Sequence, residues 1–400
     1  MDNRLNRRTF MCRNLTAAVG LSLCRSYLGS DSVSAQTPDS RTPSEWRNRQ
    51  SDMTYRRLGR TGYMVSEIIM GGNTIAPDNY KHVEMAVEMG LNYLDTAPAY
   101  GNEQSEKGYA HVIKGSSKRS KVFLNSKVSI FDLNRNKVYR EIYQSLPDSE
   151  KKQIDFAVRD LIERRGVTES TYMDSYARKL SQVESAYLSN VMERKYGVKI
   201  DRRKEYYNRI INSAEESLKR LGTDYLDLFM CPHGSSSPEE LRIPEIHEAL
   251  DKLKADGKIR HTGISSHSDP AGNLRAAVDS GKYDAVMIAY NILNHEYSDR
   301  IVSDAYEKDV GVIAMKVARP VYPDRGPQAY VPPSRISKLN HVLPGDMKIP
   351  LKAYLWALQN PNLSCINSEM INADHTRENL ALAGKRVKLV TLEDKSKFNY

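Results

Sequence analysis

Four residues of this chain could do chemistry together: Asp95 in NYLDTAPAYG, Tyr100 five positions later, Lys127 in FLNSKVS and His233 in LFMCPHG. A phenol ordinarily loses its proton near pH 10, so it is a poor acid at neutral pH unless something stabilises its anion. An adjacent ammonium does so, and Lys127 can supply it. A carboxylate such as Asp95 would keep that ammonium charged, and an imidazole at His233 could hydrogen-bond a substrate oxygen and hold it towards the phenol. A proton delivered by Tyr100 to a carbonyl implies a hydride delivered from elsewhere. Taken singly, each residue has an ordinary reading as a turn cap, a loop aromatic, a strand-end charge or a satisfied polar group. It is their combination that points to a site.

All four fall at or just beyond the end of an expected strand. Strands are read near 68–71, 92–95, 121–127, 224–230, 259–264, 284–288, 311–315 and 363–366, most of them separated by amphipathic runs, as a parallel barrel requires. The runs AVEMG, KADG and DSG place Gly where helices end. Ahead of the barrel, MTYRRLGRTGYMVSEI reads as a β-hairpin turning at Gly62. The expected fold is therefore α/β, a (β/α)8 TIM barrel with an N-terminal β-hairpin, whose chemistry sits at the C-terminal strand ends.

The chain resembles an aldo-keto reductase. The resemblance is carried by the tetrad and by YRRLGRTGYMVSEIIMGG, AVEMGLNYLDTAPAYGNEQSE, SAEESLKRLGTDYLDLFMCPHG, LKADGKIRHTGISSH and ADHTRENLALA, which together cover most of residues 54–385. It implies a reaction dependent on NAD or NADP in which Tyr100 is the general acid/base, with Asp95, Lys127 and His233 as its catalytic partners. It also implies cofactor contacts, residue by residue. Ser265 and Ser266 fall where the nicotinamide amide is held, Glu378 and Asn379 match a pair that contacts adenine, and Met315-Lys316 matches a branch of the family with Lys316 reaching the pyrophosphate. Two positions depart from the common pattern. Met287 stands where Gln is usual, and Met315 stands where many members stack an aromatic ring. Glu369 and Asp374, with Arg377 as the only firm cation nearby, slightly favour NAD over NADP, because carboxylates repel a 2′-phosphate. No metal is expected.

Four hundred residues exceed the usual size of one barrel, which suggests additions to it rather than a second unrelated domain. The main addition is expected at about 132–204, a charged, Tyr-rich stretch with Ile, Phe, Val and Leu at helical spacing and with Pro147 and Gly166 as breaks. A helical insertion there, after strand three, would leave from the catalytic face and could serve as a lid or a subunit contact. The barrel is read as 54–390, with a linker at 36–53 and a tail at 391–400.

Residues 1–35 read as a signal peptide. Asn6-Arg7-Arg8-Thr9-Phe10-Met11 resembles the twin-arginine export motif, NLTAAVGLSLC is modestly apolar, and Val33-Ser34-Ala35 would suit cleavage before Gln36. The leader implies the twin-arginine machinery as a partner and a periplasmic or secreted location, or a cytoplasmic one if it is not used. It holds five Arg and two Asp, so its removal takes 59 basic side chains to 54, 50 acidic ones to 48, and the net charge from +9 to about +6. No basic stripe interleaved with aromatics argues for nucleic acid, and no apolar run is long enough for a stable membrane span. Of the four cysteines, Cys231 and Cys365 would survive cleavage, on strands too far apart to bridge.

The leading function is thus a nicotinamide-dependent oxidoreductase that interconverts a carbonyl and an alcohol on a small polar, sugar-like molecule. The alternatives are an exported, non-catalytic cofactor-binding barrel and an isomerase or lyase that retains its NAD. Retention would suit an exported enzyme, since a free NAD pool is not expected outside the cytoplasm.

Overall fold

The computed structural model describes residues 42–129, 131–167, 179–322 and 330–391. The expected leader, the first part of the expected linker, residues 323–329 of the Pro-rich loop and residues 392–400 of the tail lie outside the described residues.

The described chain opens with β1 (Glu45–Trp46), β2 (Tyr55–Arg57) and β3 (Tyr63–Ser66). β2 and β3 form the expected antiparallel hairpin, and Gly62 takes the positive φ (74°) that the turn needs. The linker reading of 36–53 needs correction, because β1 pairs in parallel with β3. Arg47 follows it, buried, with its guanidinium 2.9 Å from Asp227, 2.7 Å from the Val122 carbonyl and 4.4 Å from the Phe123 ring centre. A two-residue strand has no periodicity to read, and of the two carboxylates that Arg47 meets, Glu45 (2.7 Å) is local whereas Asp227, the buried one, lies far along the chain.

The barrel follows in chain order: β4 (Ile68–Gly71), β5 (Tyr93–Asp95), β6 (Phe123–Lys127), β7 (Leu226–Ser235), β8 (Ile259–Ser266), β9 (Ala285–Ala289), β10 (Gly311–Met315) and β11 (Cys365–Glu369). All neighbours are parallel, and β11 closes on β4 through Ile366 opposite Ile68. Side chains alternate across each strand. Ile69, Tyr93, Phe123, Leu228, Met230, Met287, Ile313 and Cys365 fill the interior, floored by Leu58, Tyr63 and Val65 of the hairpin region. Their neighbours Ile68, Met70, Leu94, Leu124, Phe229, Val286, Val312 and Ala314 pack under the helices. Along the inward rows the chemistry changes towards the C-terminal ends. Tyr93 is followed two residues on by Asp95, Phe123 by Asn125 and then Lys127, and Cys365 by Asn367. The same alternation that builds the core therefore aims polar groups into the mouth. Cys231 and Cys365 are both buried and free.

The described part of the insertion is helical. Among the described residues its helices are Phe131–Gln144, Asp148–Arg165 and Lys179–Tyr196, and Arg203–Asn208 then leads into the barrel helix Arg209–Leu221. Pro147 precedes the second helix, and Gly166 ends it at φ 60°. Tyr139, Ile154, Val158, Val183, Tyr187 and Met192 give the insertion a core of its own. It docks on the barrel through polar contacts to the loops after β7 and β8. Asn190 donates to Ser237 (3.1 Å) and Glu239 (3.0 Å), Arg165 pairs with Glu239, and Ser268 donates to Gln182 (2.9 Å).

At the centre of this interface Arg135 is buried between Glu193 (2.6 Å), Asn190 (2.8 Å) and Glu240 (3.7 Å). Burial pushes the Glu240 carboxyl up to about 7 against the pull of Arg135, and that of Asp132 up to about 6. Hydrogen bonding agrees for Glu240. Ser235 Oγ lies 2.9 Å from Glu240, 3.1 Å from the Ser237 carbonyl and 2.8 Å from Asn273 Oδ1, three acceptors for one hydroxyl hydrogen. A protonated Glu240 donating to Ser235 reduces the competition to two acceptors, the Ser237 carbonyl and Asn273 Oδ1. Below its ordinary value near 4.5 the group is protonated whether the chain is folded or not. Between there and about 7 only the unfolded chain ionises, so the folded state loses stability as pH rises and the loss then levels off. The thermal midpoint of wild type should therefore fall more between pH 5 and pH 8 than that of Glu240→Gln, by a difference on the order of a few kcal/mol in unfolding free energy. Equal slopes in a calorimetric series would refute this account.

Candidate active site

The structure brings the four sequence-identified residues into one cluster. Asp95 ends β5, Tyr100 stands in the loop that follows it, Lys127 ends β6, and His233 lies near the end of β7. His233 owes its direction to a bulge. β7 pairs with β8 as Met230 with Gly263 and then as His233 with Ser265, so β7 carries one extra residue between the two pairs. Leu228 and Met230 face inward, and without the extra residue position 233 would fall on the outer face.

Lys127 is fully buried, and its ammonium has three hydrogens and three acceptors: Asp95 Oδ1 at 2.6 Å, the Thr96 carbonyl at 2.8 Å and the Tyr100 phenol at 3.1 Å. The phenol oxygen is thus an acceptor towards lysine, and its own hydrogen is directed elsewhere. Burial pulls the Lys127 ammonium below its ordinary range, while Asp95 and Glu106 push it back up. Asp95 in turn meets donors on both oxygens. Asn125 Nδ2 donates to Oδ1 at 2.6 Å, and Asn367 Nδ2 donates to Oδ2 at 3.1 Å. Gly71 makes room for this, because a Cβ there would fall 2.6 Å from Asn367 Oδ1.

His233 lies with its ring centre 6.0 Å from that of Tyr100, edge to face. Burial, Lys127 and Lys316 together hold its imidazolium form down to about 3, so the ring is neutral throughout the physiological range. Its Nδ1 is 3.4 Å from Ser129 Oγ.

The residues matched to a dinucleotide divide into two groups. Ser265 and Ser266 end β8 beside His233. Ser265 Oγ accepts from the Gly234 amide at 3.1 Å, and Ser266 Oγ donates to the Ser235 carbonyl at 2.9 Å. Met315 ends β10 and is buried, Lys316 follows it at φ 57°, and Met287 sits below in the barrel interior, its sulfur 3.8 Å from Asn367 Nδ2. The second group is apart from the tetrad. On the helix Ala373–Leu380, Glu378 pairs with Lys348, while Asn379 is buried and donates to Ser368 Oγ at 3.0 Å, tying its helix to the end of β11. Lys348 is a cation that the sequence reading missed, because the residue reaches this place from a different helix start. Arg377 is paired with Asp374 at 3.0 Å.

Asn125, Asn367 and Ser129 were also missed. The first two were findable, since they lie two residues from Lys127 and Cys365 on inward rows. Ser129 carries no such periodicity.

The model of the aldo/keto reductase family matches residues 67–174 and 182–320, more than half of the chain. Among curated relatives, the aldo-keto reductase YhdN of Bacillus subtilis is 24% identical over 267 residues, covering 64% of this chain and 59% of that protein. The chain thus spans about three fifths of the length of that relative. L-galactose dehydrogenase of Arabidopsis thaliana is 23% identical over 346 residues, covering 82% of this chain and 86% of the relative. The solved structure of an aldo-keto reductase from Bacillus halodurans, in its holo form, has a similar fold, with a TM-score of 0.55 at 20% identity over 86% of this chain and 95% of that one. A tetrad gathered at the C-terminal mouth of an eight-stranded parallel barrel and a family match of this extent lead to one assignment: the chain belongs to the aldo/keto reductase family.

Proposed function

We propose that this chain is a nicotinamide-dependent oxidoreductase that interconverts a carbonyl and an alcohol on a small polar, sugar-like substrate. The observation that carries this reading is the Lys127 ammonium held between Asp95 and the Tyr100 phenol, beside a neutral imidazole. Tyr100 would give its proton to the carbonyl oxygen as the alcohol forms and recover it in the reverse direction. Lys127 stabilises the phenolate left behind, and Asp95 keeps Lys127 charged. His233, neutral, offers a hydrogen bond that orients the carbonyl oxygen.

The mouth suits a nicotinamide dinucleotide. Ser266 spends its hydrogen on a backbone carbonyl and keeps lone pairs for an amide N–H, Met315 offers a polarisable surface for a flat ring, and Lys316 adds the positive charge felt at His233. Those three residues and Ser265 would hold the group, which would supply the hydride. NAD is slightly favoured over NADP, because Arg377 is taken by Asp374, although Lys348 is a second cation at that end. Glu378 and Asn379 are proposed as the adenine side.

An isomerase or lyase cycle with retained NAD is a second reading, favoured by the insertion docked over the loops after β7 and β8. Export through the twin-arginine machinery, to the periplasm or outside the cell, would make retention useful. An assembled tetrad speaks against a non-catalytic barrel. The test is to desalt the protein, denature it and look for dinucleotide by mass spectrometry, then assay NADH and NADPH oxidation with a panel of small aldehydes and aldoses. The first reading predicts turnover with added dinucleotide, lost in Tyr100→Phe. Bound dinucleotide in an enzyme indifferent to added cofactor would favour the second, and no turnover of either kind would reject both.

A further inference from the structure

The active-site imidazole has two ring nitrogens, and a neutral ring protonates only one of them. Which one is settled by what the other meets. Among the described residues the ring's hydrogen-bond partner is Ser129, whose Oγ is 3.4 Å from His233 Nδ1. The same Oγ accepts from the Ala99 backbone amide at 2.9 Å. That amide can only donate, so one lone pair of Ser129 is committed and its hydrogen must find an acceptor. Nδ1 is the acceptor within reach among the described residues. Were Nδ1 protonated instead, two donors would converge on Ser129 and its own hydrogen, on a residue only 9% exposed, would have no described partner. A bare Nδ1 leaves the single ring hydrogen on Nε2.

We propose that Ser129 is a positioning residue that holds His233 as its Nε2–H tautomer and ties that ring to the loop carrying Tyr100. The hydroxyl joins two elements that must stay in register: Ala99 directly precedes Tyr100, and His233 comes from β7, so a shift of either would strain a shared contact. A residue at this position with no hydroxyl could neither choose the tautomer nor bridge the two. The ring's neutrality, which burial, Lys127 and Lys316 enforce, is what makes a tautomer choice meaningful. The inference deepens the oxidoreductase reading and rests on it only for the role of the Nε2 hydrogen, which is to meet the substrate's carbonyl oxygen.

The test is spectroscopic first. In the full chain labelled with 15N-histidine, bare and protonated ring nitrogens differ widely in chemical shift, and the His233 signals are assigned by their loss in His233→Gln. Wild type is expected to show a bare Nδ1 and a protonated Nε2 from pH 5 to pH 8. Ser129→Ala should move the ring towards a mixture of tautomers and lower kcat/KM for the carbonyl about tenfold, with dinucleotide affinity unchanged. Ser129→Thr, which keeps the hydroxyl, should restore both. A wild-type ring protonated at Nδ1, or a tautomer unmoved in Ser129→Ala, would overturn the proposal. A protein that shows the Nε2–H tautomer and loses it in Ser129→Ala, yet reduces no carbonyl, would uphold Ser129 and reject the oxidoreductase reading.

Discussion

Replacing Tyr100 by Phe is expected to lower carbonyl turnover by about a hundredfold or more while leaving dinucleotide affinity intact. The reasoning is local. Phe keeps the ring, and with it the edge-to-face contact to His233 and the 4.6 Å approach of Lys127 to the ring centre. What disappears is one oxygen, and with it the acid that Lys127 contacts at 3.1 Å. His233 cannot take over, because a ring neutral down to about pH 3 has little tendency to pass through the imidazolium that a proton relay needs. Lys127 loses one of its three acceptors but keeps Asp95 and the Thr96 carbonyl, so it stays in place and the fold should be little disturbed. Steady-state kinetics together with a fluorescence titration of NADH would check both halves. Wild-type turnover in the variant would remove Tyr100 from the mechanism.

The sequence already displayed most of what positions this site. Each barrel strand was readable because it begins in or contains a short apolar run bounded by turns, and the four central residues were readable because each closes an expected strand or follows one. What stayed hidden depends on contacts between distant parts of the chain. Arg47 looked like linker because Asp227, the buried one of its two carboxylate partners, is far along the sequence. The Arg135–Glu240 contact joins two charged residues far apart in the chain, both buried, and neither segment carries a local pattern that announces it. The bulge that aims His233 inward adds one residue without any compositional sign, so strict alternation from Leu228 would have turned the imidazole outward. Asn125 and Asn367 form an intermediate case. Their facing could have been deduced from the inward rows, but their convergence on one carboxylate required the closed barrel.

That convergence decides what Lys127→Met should do. The substitution removes what is, among the described residues, the only cation paired with a carboxylate that is fully buried and otherwise met by two amide donors. Breaking a buried pair from one side typically costs about 3–5 kcal/mol, because the remaining charge is left without compensation. Activity should fall by more than a hundredfold, since the phenolate loses the charge that stabilises it, and any residue of activity should shift to higher pH. Loss of activity alone would not separate chemistry from unfolding, so the double variant Asp95→Asn/Lys127→Met is the informative one. Neutralising the carboxylate removes the uncompensated charge while keeping a side chain of the same shape, and most of the lost stability should return. Activity should not, because neither the acid's tuner nor its anchor is present. Denaturant unfolding of the four proteins in this cycle measures the coupling directly. A double variant as unstable as Lys127→Met would show that the lysine supports the barrel by packing rather than by charge. One that regained turnover along with stability would show that Tyr100 needs no cation, and the proton-transfer account would fail at its centre.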